Sequence, residues 1–160
     1  MPYLFDTNIF ITLKNEMPKD YWPTFWDKFV ALLNTGHIYT STKVLEELMN
    51  GNDEFALWLK NNVPPTFFLG TDADVMSKYQ DTQNWANANP IYTPAARQEF
   101  AEVADAYLVA TAAAKSLTLV TNEQPAPNSK KSIKIPDVCD GLGVRFCNFN
   151  TVLRELSFTI

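Results

Sequence analysis

The chain has few of the residues that staple small proteins or bind soft metals. It holds two cysteines, Cys139 and Cys147, and one histidine, His37. Two thiols exclude a disulfide-framed secreted module, and this Cys/His set nearly excludes a zinc site. Positive charge is also scarce. Thirteen Lys and Arg against 18 Asp and Glu give a net charge of −5, which disfavours tight nucleic-acid binding through a broad basic face. An active site with a few basic residues and several carboxylates remains open. No apolar run approaches the roughly 18 residues of a membrane span. The opening Met1-Pro2-Tyr3-Leu4-Phe5 has neither a basic start nor a long apolar stretch, so no signal peptide is expected, and the chain reads as cytoplasmic with reduced thiols.

What is present is globular: 160 residues, 46% hydrophobic and 19% charged. That composition predicts one domain over 1–160 with a core of its own. Tyr3-Leu4-Phe5 reads as a short buried strand ending at Asp6. Trp22, Phe25, Trp26, Phe29, Val30 and Leu33 follow one face of a helix, with Pro23 in its first turn and Gly36 past its end. This spacing puts Trp22, Trp26 and Phe29 in the core. His37 to Thr40 reads as a second strand, with His37 structural at its start. Ser41 or Thr42 caps a helix from Val44 to Asn50, and Asp53 to Lys60 forms another. Thr66 to Leu69 is a third strand.

Thr71 with Asp74 resembles a capping box for a helix to about Asn87. Thr93-Pro94 opens a helical pattern reaching about Lys115. Leu117 to Thr121 is a fourth strand, and Asn122 to Lys134 a polar, mobile loop. Pro136 starts a helical turn. Val144 to Cys147 is a fifth strand, followed by a helix from Thr151 to Leu156. Alternating strands and helices predict an α/β fold with a parallel sheet of about five strands covered on both faces. In such sheets ligands bind beyond the carboxyl ends of the strands, where strand order reverses.

Acids fall at those ends. Asp6 follows strand one and Glu123 strand four. Glu46 and Glu47 lie on the helix after strand two, and Asp105 on the helix before strand four. Converging carboxylates repel unless a cation neutralises them, and Mg²⁺ or Mn²⁺ suits oxygen ligands. Phosphodiester hydrolysis is the chemistry such a site serves. Periodicity does not separate Glu46 from Glu47. At 100° per residue, Val44, Leu45, Leu48 and Met49 span about 140°, with the two glutamates equally placed on either side. Asp105 lies mid-helix if the helix runs unbroken from Pro94, or in a first turn if it restarts near Ala104.

Asp6-Thr7-Asn8 after a first strand, Val44-Leu45-Glu46-Glu47-Leu48, Ala104-Asp105-Ala106 opening a small-residue helix, and Val120-Thr121-Asn122-Glu123 together resemble the four motifs of the PIN-domain nucleases, in the family's order. Trp26 and Ile135-Pro136-Asp137-Val138-Cys139 further resemble a bacterial and archaeal branch associated with toxin–antitoxin pairs. The resemblance implies a three-layer α/β/α sandwich. It also implies Mg²⁺ or Mn²⁺ held by Asp6, Glu47 and Asp105, with Glu123 standing where the family more often has Asp, and Asp137 as a further candidate. Asn8 would orient Asp6 or a water, and Thr121 would donate a hydroxyl to the acids. Cleavage of RNA would leave 5′-phosphate and 3′-hydroxyl ends. A protein antitoxin and a homodimer are implied by the same likeness.

Plainer readings accompany each residue. Asp6 and Asn8 suit a turn, Glu46 suits solvent, and Glu123 suits a loop. Asp137 suits a helix cap, and Lys130, Lys131 and Lys134 serve either solubility or phosphate contact. Cys139 and Cys147 read as buried thiols. A haloacid-dehalogenase-like phosphatase requires an acid where Asn8 stands, and a response-regulator receiver requires an acid pair and a late lysine that are not evident. The remaining rival is a non-catalytic PIN-like module that binds RNA or protein.

Overall fold

The computed structural model describes residues 2–51 and 53–160. Five parallel strands form one sheet in the order β3-β2-β1-β4-β5. They are β1 (Tyr3–Phe5), β2 (Ile38–Ser41), β3 (Phe68–Leu69), β4 (Thr118–Val120) and β5 (Phe146–Cys147). The order reverses at β1, whose neighbours are β2 and β4. The switch point is therefore the gap between the carboxyl ends of β1 and β4. Phe5 is in register with Val120, so Asp6 and Thr121 leave the sheet side by side.

The helices are α1 (Thr7–Glu16), α2 (Pro23–Leu33), α3 (Thr42–Gly51), α4 (Asp53–Asn62), α5 (Ala73–Ala88), α6 (Pro94–Glu102), α7 (Ala104–Lys115), α8 (Ile135–Leu142) and α9 (Phe149–Glu155). The architecture is a three-layer α/β/α sandwich. Phe5 sends its ring toward α2 and α9, where it meets Phe29 and Phe149 at 6.5 and 5.9 Å between centroids. Tyr3, two residues earlier and on the same side, hydrogen-bonds through its hydroxyl to Glu155 of α9. Helix α7 packs on β2 and β4, and α5 lies along α7. Burying each aromatic ring contributes about 1.5–3 kcal/mol.

Several expectations are corrected. Helix α1 is not evident in the sequence. Thr7, Ile9, Ile11 and Thr12 are β-branched and lower its propensity, but burial of Ile9, Phe10 and Leu13 overrides that preference. Trp22, expected in the core, is 45% exposed. It is the N-cap of α2, with a non-helical backbone, so its indole falls off the buried stripe that Trp26 and Phe29 continue. The cap of α5 is Asp72, whose side chain accepts from the Val75 amide at 2.9 Å, not Thr71. Cys147 is half-buried while Cys139 is fully buried. The loop after β4 lacks regular structure but is pinned: Thr93 donates its amide to the Lys130 carbonyl at 3.0 Å, and Ile133 is buried. No helix among the described residues is long and apolar enough to cross a membrane.

Candidate active site

Asp6 sits at the switch point and is 1% exposed. Its Oδ2 accepts a hydrogen bond from Thr121 Oγ1 at 3.0 Å, whereas Oδ1 is buried with no partner. Burial pushes its pKa up to about 6. The Thr121 hydroxyl and the Asn8 backbone amide oppose that rise, and the charges of Glu123 and Glu47 add to it. Asn8 therefore acts on Asp6 through its backbone, while its side chain is exposed.

The choice between Glu46 and Glu47 resolves in the fold. Val44 and Leu48 are buried, Leu45 is half-buried and Met49 is 42% exposed. The buried face is thus narrower than the apolar one. Its centre lies about 80° from Glu47 and about opposite Glu46 at 100° per residue. Glu47 Oε1 accepts from Thr7 Oγ1 at 2.9 Å and Oε2 from the Ala104 amide at 3.0 Å. Glu46 faces solvent and pairs with Lys43 at 3.6 Å.

The helical pattern from Pro94 breaks at Val103. This residue is extended (φ −91°, ψ 165°) and both ends α6 and begins α7. Asp105 therefore lies in the first turn of α7, where the helix dipole favours an acid. Ala104 presents a free first-turn amide, and Glu47 takes it. Burial, then the charges of Asp6, Glu123 and Glu47, push Asp105 up to about 8, with Lys134 opposing. Glu123 is raised by burial, while Lys134 and the Ile135 amide oppose and Asp137 adds. Its Oε2 is a second buried atom without a partner. Four carboxylates from four segments thus act on one another.

Asp137 is buried in the first turn of α8 and accepts from the Ala126 amide at 2.9 Å, which ties the loop back behind Glu123. Lys134 lines a pocket of about 170 Å³ with Asp105, Glu123, Glu99 and Ser132. Lys130 and Lys131 are exposed on the same loop. A second pocket, of about 300 Å³, lies on the Glu47 side of the α6–α7 break. A larger groove of about 570 Å³ runs beside α1 and α9 and reaches Asn122. Its walls are mostly apolar, and among the described residues Glu16 is the only acidic side chain lining it, whereas Asp105, Glu123 and Glu99 line the smaller, polar pocket.

Residues 3–160 match the family described as Domain of unknown function (DUF4411). The chain belongs to that family. No curated protein matches it. Among solved structures, the crystal structure of VapBC2 from Rickettsia felis bound to a DNA fragment from their promoter is similar in fold. Identity is 18% and the TM-score 0.57, over 92% of this chain and 98% of that one. The PIN-like fold implied by the four motifs is therefore present in this member of the DUF4411 family.

The acids of this DUF4411 chain would meet one requirement of a divalent cation and leave another to water. Asp6 Oδ1 and Glu123 Oε2 are buried oxygens lacking a donor, and such atoms are costly unless a proton or cation joins them. Among the described residues, no group of three or more histidine, cysteine or acidic side chains is arranged to hold an ion. Mg²⁺ does not require one, since it commonly keeps several waters and takes one or two carboxylates. The donor set is all oxygen, which fits Mg²⁺ or Mn²⁺. Two neighbours of Glu47 escaped the sequence: Thr7, whose hydroxyl donates to it, and Lys43, which lines the same pocket one helical turn earlier. The i, i+4 spacing of Lys43 and Glu47 was the available signal.

Proposed function

We propose that this protein is a Mg²⁺- or Mn²⁺-dependent endoribonuclease and the toxin of a toxin–antitoxin pair. One observation carries the reading. Asp6 is buried at the sheet's switch point with an unpartnered oxygen and feels Glu123 and Glu47, while Asp105 feels all three. Such mutual repulsion is a cost that a bound cation removes.

Asp6, Asp105 and Glu123 would hold the ion. Glu47 would join them or orient the Asp105 helix through the Ala104 amide. When bound, the ion neutralises the acids, activates water and stabilises charge developing on the phosphate. Thr121 and the Asn8 backbone favour the charged form of Asp6 against its burial. Asp137 keeps the loop after β4 behind Glu123 and would be a further ligand. Lys134 takes a phosphate of the RNA, with Lys130 and Lys131 on the same loop. The antitoxin would be a protein that occludes the carboxylates with an Arg or Lys side chain, and the toxin would act as a cytoplasmic homodimer. The resemblance of the four motifs and the fold shared with a chain of the VapBC2 structure support this reading.

A second reading has an observation of its own. Both oxygens of Glu47 are engaged by protein donors, as suits a structural tie in a non-catalytic RNA- or protein-binding module. Cleavage of a mixed RNA pool with Mn²⁺ decides between them. The nuclease predicts cleavage by wild type that is lost in Asp6→Asn, in Asp105→Asn and with EDTA. A folded wild type that leaves the pool intact favours the binding module.

A further inference from the structure

The pocket on the Glu47 side of the α6–α7 break holds about 300 Å³, and Lys43 is the one cation in a lining that also carries Glu46, Glu47, Glu102, Val103 and Tyr107. Its wall is a built stack. Tyr79 and Tyr107 lie face to face, with centroids 4.4 Å apart and planes 19° from parallel. The Tyr79 hydroxyl donates to the Ala101 carbonyl at 2.7 Å, which fixes the stack to the end of α6. Lys43 Nζ lies 4.8 Å from the centroid of Tyr107, within the range of a cation–π contact. Lys43 and Glu47 are four residues apart on α3 and share a helix face. An ammonium is thus held beside one of the acids by an aromatic ring, and among the described residues its one ionic partner is the exposed Glu46, at 3.6 Å.

Val103 lines this pocket and also the 170 Å³ pocket that contains Lys134. The two pockets therefore flank the same break in the backbone. Glu47 borders one of them, and Asp105 and Glu123 border the other. Each carries one lysine. In a chain of net charge −5, a polyanion requires local positive charge to approach four carboxylates, and these lysines supply it on both banks.

We propose that Lys43, supported by Tyr107, is a substrate-positioning residue that contacts a backbone phosphate of single-stranded RNA. The strand crosses the acids between Lys134 on one side and Lys43 on the other. This rests on the ribonuclease reading. The exposed pair with Glu46 is weak, so a phosphate displaces it readily. The phosphate rather than the base is the recognised group, because one face of Tyr107 is occupied by Tyr79 and Lys43 lies over the ring.

The test measures cleavage of a fluorescein-labelled single-stranded RNA with Mn²⁺ over a salt series. Lys43→Gln is expected to raise KM about fivefold or more and leave kcat within about twofold. It should also reduce the slope of log KM against log salt by about 0.7, the value for one phosphate on a single strand. Lys43→Arg restores both quantities. Glu46→Gln lowers KM by about twofold, since it removes the competing carboxylate. A merely structural lysine moves neither KM nor the salt slope. Wild type that cleaves, with Lys43→Gln matching its KM and slope, overturns this inference and leaves the ribonuclease standing. Wild type that neither binds nor cleaves the RNA overturns both.

Discussion

Thr121 donates its hydroxyl to Asp6 across the seam between β4 and β1, at 3.0 Å. The bond follows from register. Val120 faces Phe5, so the residue after each strand meets its counterpart at the one place where strand order reverses. The hydroxyl favours the charged form of an aspartate that burial drives toward neutrality.

Thr121→Val removes that donor at nearly constant volume. The Asp6 pKa rises further, and the acid limb of the pH–activity profile moves up by about one unit. Thermal stabilisation by Mn²⁺ at pH 6 shrinks with it, because protons compete with the ion for Asp6. A profile that stays in place would separate Thr121 from the chemistry.

The metal-free protein loses stability as pH rises. Asp105 holds its proton in the fold up to about 8, whereas its ordinary pKa is 3.8. Between those values the folded state binds more protons than the unfolded, so the free energy of unfolding falls with pH. In EDTA, Tm is expected to drop by about 5 °C or more between pH 5 and pH 8. Asp105→Asn flattens the drop, and Mn²⁺ opposes it in wild type.

The two glutamates of α3 differ in what they hold. Glu47→Ala leaves the Ala104 amide and the Thr7 hydroxyl without their acceptor, which costs about 1–3 kcal/mol. Glu46→Ala stays within about 0.5 kcal/mol of wild type. Urea denaturation measures both.

Gly141 on α8 touches the indole of Trp85. A Cβ there would overlap Trp85 Nε1. Gly141→Ala therefore forces the half-buried indole out of its seat between α5 and α8, at a cost of about 1–3 kcal/mol. Urea midpoints measure the loss, and a shift in tryptophan emission reports the movement.

The sequence carried the strand ends and the acids that follow them, because a buried parallel strand is a short apolar run and the next residue is the one that faces a ligand. Asp6 and Glu123 were legible for that reason, whereas Asp105, in the first turn of α7, was singled out by the motif resemblance. Glu47 was not separable from Glu46, since a helical wheel knows which side chains are apolar but not which of them the fold covers. Met49 is apolar and exposed, and that one residue moves the buried face toward Glu47. Helix α1 was hidden for the opposite reason: its residues disfavour helix, and long-range packing supplies what local preference does not. The Lys43–Tyr107–Tyr79 stack joins α3, α5 and α7, three segments distant in the chain, and no local pattern announces it.

The extended residue at Val103 has a consequence for how this chain tolerates change. A continuous helix from Pro94 to Lys115 would transmit every inserted or deleted residue as a rotation of about 100°, swinging Asp105 away from Asp6. Two helices meeting at a corner do not share a rotational phase. The angular setting of α7 is fixed anew by the Ala104 amide on Glu47, so a change on the exposed face of α6 is not passed on as a rotation of the Asp105 carboxylate.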